Sequence, residues 1–447
     1  MPRVVERPGL QRLLKRSPNH IHRLLHRAPL STRYRVSKLH SVCFVLHSVP
    51  IGAQFAMIDL PIIQLVRRPG MIEFGWGHPD PALLPVAALR RAAMQALDRF
   101  GAAALAYGAD AGAGPLRAWL IERIARTEGR APAPDEIAIT GGASHALDQI
   151  CTLWTRPGDV VLVESPTYHL AVRILRDHPL DLVPIPADAD GLQVDALAAT
   201  IAKLRRAGRT PRLLYTVATF HNPTGVSMSA PRRAALVELA AAEELLIVED
   251  DVYRELAYDG PAPPALWSMA PAGTVARLGS FSKALAPGLR LGWLTAGAPL
   301  IARIVGSGLQ DSGGGTNHFT AMVVAAFCAA GEFEEHVARL RAAYRSRRDA
   351  LARALARHLP PGCSWPLPAG GYFIWVTLPE GLDAEALLPR AEAAGVAYLP
   401  GARFSLDGSG ANALRLAFSL HGEEELAEGA RRLGMVLRTA IGAGGTV

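Results

Sequence analysis

The sequence predicts an α/β protein: a three-layer domain built around a mostly parallel seven-stranded sheet, followed by a smaller α+β domain. Three observations carry that expectation. From Met71 onward, short β-branched runs alternate with Ala/Leu/Arg-rich stretches long enough to be crossover helices, the pattern of parallel strands linked by helices. The 447 residues exceed a single ordinary domain of roughly 100–200 residues. After Gly331 the texture changes, and one long helical stretch precedes isolated strand-like segments.

Taken in order, residues 1–70 come first and stand apart. They carry 12 Lys+Arg against 2 Asp+Glu, while the whole chain has a formal net charge of +7. The basic character therefore lies in this extension, and the remainder is slightly acidic. The weak helical periodicity from Leu10 to Leu30 contains no helix-turn-helix pattern, so no nucleic-acid partner is expected. Three readings of the extension stay open: a disordered basic tail, an organelle-type presequence, or translated upstream sequence with a working start at Met57 or Met71. Residues 41–65 are apolar but broken by His47, Pro50, Asp59 and Pro61. No apolar run reaches the ~18–20 residues a membrane span needs, and no membrane partner is expected.

Residues 71–110 contain loop-like Gly75–Pro79 and Pro81 and are expected to accompany the small domain. Strands of the large domain, residues 111–315, are expected at Ile137–Thr140, Val160–Glu164, Asp181–Ile185, Leu213–Val217, Leu246–Asp250, Val275–Gly279 and Leu291–Ala296. The last two are joined by a connection too short for a helix, so one antiparallel pairing is expected. In the small domain, residues 316–447, helices are expected at Phe333–His358 and Glu423–Thr439, and strands at GGYFIWVTL and RLAFS. An apolar content of 50% excludes disorder of the whole chain. Four scattered cysteines, Cys43, Cys151, Cys328 and Cys363, argue against a disulfide scaffold or a metal site and for a reducing, cytoplasmic setting.

Ligands of open α/β sheets sit beyond the carboxyl ends of the strands. The residues following each run are therefore the candidates. The chain has four lysines, Lys15, Lys38, Lys203 and Lys283, so any amine chemistry in the body falls to Lys203 or Lys283. Lys203 sits in IAKLRRAGR, a solvated basic helix end; Lys283 follows a strand in GSFSKALAPGLR, with Ser280, Ser282 and Arg290 beside it. Two hydroxyls, a lysine and an arginine can serve a phosphate and a covalent amine, because a desolvated lysine can form a Schiff base and arginine cannot. A polar loop with an incidental lysine is the plainer alternative.

The other strand ends read similarly. Asp250 closes a strand in EDDVY, three residues before Tyr253; it would suit a pyridinium nitrogen, or merely cap a helix. Asn222-Pro223-Thr224-Gly225 is a turn, with Asn222 able to donate to a phenolic oxygen and the Asn–Pro bond a candidate cis peptide. Gly141-Gly142 before a helix would point the free N–H groups of Ala143 and Ser144 at an anion, or form an ordinary turn. Tyr168 in ESPTY could stack on a ring or pack in the core. Arg415, inside the apolar ALRLAFS, needs an anion: a bidentate substrate carboxylate or a structural salt bridge.

In this order, TGGASHAL, ESPTY, HNPTG, EDDVY, SFSKALAPGLR and RLAFS, with LAYGADAGAGPLR at 105–117, resemble the class I/II family of fold-type I pyridoxal-5′-phosphate aminotransferases. The likeness spans about Ile72 to Leu437. It implies a PLP-dependent transferase-like fold and a homodimer with shared sites. Lys283 would bind the cofactor covalently and then move the proton as base and acid. Asp250 would hold the pyridine nitrogen, Tyr253 and Asn222 the phenolic oxygen, and Tyr168 the ring face. Ser280, Ser282, Arg290, Ala143 and Ser144 would bind the phosphate, with Tyr107 reaching the neighbouring subunit's phosphate. Arg415 would clamp the α-carboxylate, with Asn222 and the backbone near Gly77 assisting.

Two departures bear on substrate and cofactor. Ala143 replaces a hydroxyl or amide often found in relatives. GLQDSGGGTNHFT at 308–320 lacks the arginine that aspartate-specific relatives carry, which disfavours a strict aspartate aminotransferase. Trp76, His78 and Tyr372 would suit a large or aromatic side chain. The expected function is transfer of an amino group from an L-amino acid to a 2-oxo acid such as 2-oxoglutarate. A lyase, decarboxylase or cyclase on the same scaffold is the first alternative, and a transcription regulator with an aminotransferase-like sensor domain the second.

Overall fold

The computed structural model describes residues 68–444. The expectations placed on residues 1–67, including Lys15, Lys38, Cys43 and a start at Met57, lie outside the described residues. The described residues begin with β1 (Ile72–Glu73), and the seven expected apolar runs then follow as strands. These are β2 (Ile137–Thr140), β3 (Val160–Ser165), β4 (Asp181–Asp188), β6 (Pro211–Thr216), β7 (Leu246–Asp250), β8 (Val275–Ser280) and β9 (Gly292–Thr295). An eighth, β5 (Gly191–Leu192), was not expected. It is two residues long and folds back antiparallel on β4 across a turn closed by Gly191 at φ +95°, so it has no apolar run of its own.

The sheet order is β2-β9-β8-β7-β6-β3-β4-β5. Its centre, β4-β3-β6-β7-β8, is parallel, whereas β9 runs antiparallel to both β8 and β2. Strand β3 is buried along its whole length, as a parallel strand covered on both faces must be. Alternate residues feed two separate cores. Ile137, Ile139, Leu162, Leu214 and Ile247 face one helical layer, while Ala138, Val161, Val163, Tyr215 and Val248 face the other.

The smaller domain holds an antiparallel sheet of β10 (Phe373–Thr377), β13 (Ala413–Ala417) and β12 (Leu399–Pro400), and β1 pairs in parallel with β11 (Val396–Ala397). The long helix Glu332–His358 and the terminal helix Glu423–Gly444 cover it. Two segments expected in this domain pack elsewhere. The helix Val86–Phe100 buries Ala88, Ala92 and Ala96, an i, i+4, i+8 stripe, in the same core as Ala321 and Val324 of the helix His318–Ala329. That core is the large domain's, since it also holds Ile137, Ile139 and Leu162 of the sheet, and the alanine faces bring the two helices against each other. Among the described residues no helix is long and apolar enough to cross a membrane.

Candidate active site

The carboxyl ends of β2, β3, β6, β7 and β8 open on the seam with the smaller domain. Lys283 lies three residues past β8, partly buried, and its Nζ donates to the Gly77 carbonyl at 3.0 Å. The Tyr372 and Tyr253 rings lie 5.6 and 5.8 Å from that nitrogen. Burial, with the nearby Arg415 charge, draws the amine down to about 8. Asp250, at the end of β7, is 7% exposed. Its Oδ2 accepts from the Tyr215 hydroxyl at 2.6 Å, and its Oδ1 is buried without a hydrogen-bond partner. Burial pushes this carboxyl up to about 6, while the Tyr215 bond pulls the other way.

Around the turn after β6, the Asn222–Pro223 peptide is cis and Gly225 takes φ +73°. The Asn222 Oδ1 accepts from Arg415 Nη1 at 2.7 Å, which leaves its amide nitrogen to donate. Arg415 lies on β13 and is 3% exposed, with Nη2 donating to the Gly75 carbonyl at 2.5 Å. The Phe373 and Phe404 rings lie 4.1 and 4.9 Å from its guanidinium carbon. No carboxylate pairs with it among the described residues, which removes the salt-bridge reading, and its Nε is buried without a partner. Burial lowers its affinity for the proton to about 10. A buried cation without a counter-ion is costly and is a ready receiver for an acid.

A third group of residues forms an anion cradle. The helix Ala143–Trp154 starts at Gly142, φ +95°, and no side chain caps it, so its first N–H groups stay open. Ser144 is exposed in this first turn. Arg290, in the left-handed region at φ +46°, reaches the Gly141 carbonyl at 3.2 Å and the Ser282 hydroxyl at 3.5 Å. A β-carbon on Gly142 would stand 2.9 Å from Arg290 Nη2, so glycine is what lets them meet. Ser280 Oγ accepts from the Ser282 N–H at 3.1 Å.

The family model for class I and II aminotransferases matches residues 70–433. The chain belongs to that family. It is 36% identical over 84% of its length to aromatic-amino-acid aminotransferase 1 of Thermococcus litoralis, covering 90% of that protein. The structure of a multiple-substrate aminotransferase from Thermococcus profundus superposes with a TM-score of 0.81 at 36% identity, covering 88% of this chain and 96% of the other. An alpha-aminoadipate aminotransferase from Thermus thermophilus, solved with N-(5′-phosphopyridoxyl)-L-leucine, gives 0.76 at 35% identity, covering 84% and 94%. As a member of this family the protein is a pyridoxal-phosphate-dependent aminotransferase. The residues fit that cofactor: an uncapped helix start beside Arg290 suits a phosphate, the orphaned Asp250 Oδ1 a protonated ring nitrogen, and the depressed Lys283 amine an aldehyde.

Most aminotransferase candidates read from the sequence converge here, but three differ in detail. Gly77 turns its carbonyl to Lys283, and the backbone that meets Arg415 is Gly75. Tyr372 is fully buried behind Lys283, donating to its backbone carbonyl at 3.1 Å, so it supports the lysine instead of lining a pocket. Tyr107 is 85% exposed and meets none of the other candidates within one chain. Tyr168 sits at the start of the helix His169–Arg176, where burial raises its phenol to about 12, and Tyr253 packs edge-on against Tyr372 and Phe373. Residues that the sequence reading missed are Tyr215, Gly75, Phe373 and Phe404. None left a clear signal: Tyr215 lies inside the strand run LLYT, where a tyrosine reads as core.

Proposed function

We propose that the protein moves the amino group of an L-amino acid with a large, aromatic or 2-aminoadipate-like side chain to a 2-oxo acid such as 2-oxoglutarate, acting as a homodimer with shared sites. The observation that carries the reading is Arg415, a buried cation with no acid partner among the described residues, near Lys283 and Asp250. Its two terminal nitrogens would take the substrate α-carboxylate, with Asn222 held beside it. Asn222 Nδ2 and Tyr253 would donate to the cofactor's phenolic oxygen, and Tyr168 would cover the ring face. Ser280, Ser282, Arg290 and the N–H groups of Ala143 and Ser144 would hold the phosphate. The bound cofactor supplies an electron sink for the substrate α-carbon. Lys283 Nζ would remove the α-proton and return it one position along, with the Gly77 carbonyl steering the amine.

The side-chain preference is supported by the aromatic rings flanking Gly77 and by the lack of a cation in one helix. Trp76 is 36% exposed beside His78, and the helix Gly308–Gly313 carries no cation. The exposed Tyr107, with Leu105 and Val86 also exposed, supports a second copy completing the site. The experiment is an amino-donor panel with 2-oxoglutarate, read by glutamate formation, alongside spectra of the protein and Lys283→Ala. Aromatic donors and 2-aminoadipate are expected to outpace aspartate. Release of pyruvate, carbon dioxide or ammonia without glutamate would make the lyase or decarboxylase reading the correct one.

A further inference from the structure

We infer that Tyr215 is a positioning residue for the cofactor site: its hydroxyl holds one oxygen of Asp250, so that the other is presented as a bare, ionised acceptor to the cofactor's ring nitrogen. This rests on the role given above to Asp250.

The strand register makes the contact. Tyr215 on β6 pairs with Val248 on β7, so both side chains leave the same face of the sheet. Asp250 is two residues further along β7 and leaves that face too. The diagonal neighbour across a strand pair lies ~7–8 Å away, within the span of a tyrosine ring. The phenol lies along that diagonal and ends 2.6 Å from Oδ2. The ring is fully buried in the core shared by Val161, Val163 and Leu278, which leaves it no second orientation.

The chemistry is one-directional. Burial raises the phenol well above its ordinary range, so Tyr215 stays a donor. A phenol donating to a carboxylate stabilises the charged form. Asp250 Oδ1 has no protein partner and is buried, an arrangement that costs stability unless something comes to fill it. Without the hydroxyl, the carboxylate loses its one side-chain donor and holds a proton more readily. A neutral carboxylic acid cannot form an ion pair with a protonated ring nitrogen.

The test is a double-mutant cycle on cofactor affinity. Wild type, Tyr215→Phe, Asp250→Asn and the double variant are stripped of cofactor, and pyridoxal phosphate is titrated back while its bound absorbance is followed. Phe keeps the ring volume, so the core stays filled. Tyr215→Phe is expected to weaken binding roughly 10-fold in the wild-type background, the scale of one hydrogen bond to a charged group, with an altered bound-cofactor spectrum. In the Asp250→Asn background the same change is expected to cost under about 2-fold, because its route is gone. An equal loss in both backgrounds, or none in the first, overturns the role of Tyr215. Full-strength uptake of pyridoxal phosphate by Asp250→Asn alone would instead overturn the role of Asp250.

Discussion

Lys283 is poised by its surroundings before any ligand arrives. Its amine is drawn down to about 8 by burial and by the Arg415 charge, and only the neutral amine attacks an aldehyde. The rate of cofactor reloading into stripped protein should therefore rise as pH increases through about 8 and level off above it, read by the growth of bound-cofactor absorbance. Lys283→Ala should abolish the covalent linkage, seen as loss of the borohydride-reducible adduct by mass spectrometry. Arg415→Ala should raise KM for the amino donor by roughly 100-fold, the scale of two charge-assisted hydrogen bonds, which steady-state kinetics would show. Lys283, Asp250, Asn222 and Arg415 were legible in the sequence because each is a polar residue beside or within an apolar run, where burial demands a reason. Gly75 and Gly77 act through carbonyls, which leave no side-chain signature. Tyr215 was hidden because a tyrosine inside a strand reads as core.

At the scale of elements, the site depends on how closely backbones approach. Gly279 on β8 faces Trp293 on β9, and a β-carbon there would fall 2.0 Å from the indole. Gly279→Ala should cost about 1–3 kcal/mol and lower the thermal midpoint, read by calorimetry. Gly142→Ala should act differently, forcing a left-handed conformation and pushing Arg290 from the helix start. Weaker retention of cofactor on dialysis is the expected outcome. The parallel strands were readable from their apolar runs and the spacing between them. The two-residue β5 was not, because its existence depends on a turn and not on a run. The helix Val86–Phe100 was not among the expected elements: its buried face is made of alanines, whose small side chains give a weak apolar pattern.

At the scale of the molecule, two domains share the site, and the shared-dimer reading has a sharp test. Tyr107→Ala and Lys283→Ala chains, each impaired alone, should regain activity when co-expressed, since each mixed dimer would hold one intact site. No recovery on mixing would leave Tyr107 without a role across subunits. Residues Gly75 to Arg415 contain every assigned group. A chain lacking residues 1–67 should therefore keep its transaminase rate, measured with the same donor panel.

The grip on Arg415 has a consequence for order of events. Its side chain grows from the small domain, yet it is fastened to Asn222 of the large domain and to the strand-like stretch at Gly75. One guanidinium thus acts as a rivet through three stretches of chain while the site still waits for substrate. An arriving carboxylate finds the clamp already assembled, so little of its binding energy is spent on arranging it. The same rivet ties β13 to the turn after β6 and to Gly75, so losing it removes a tie between these stretches as well as the receiver of the carboxylate.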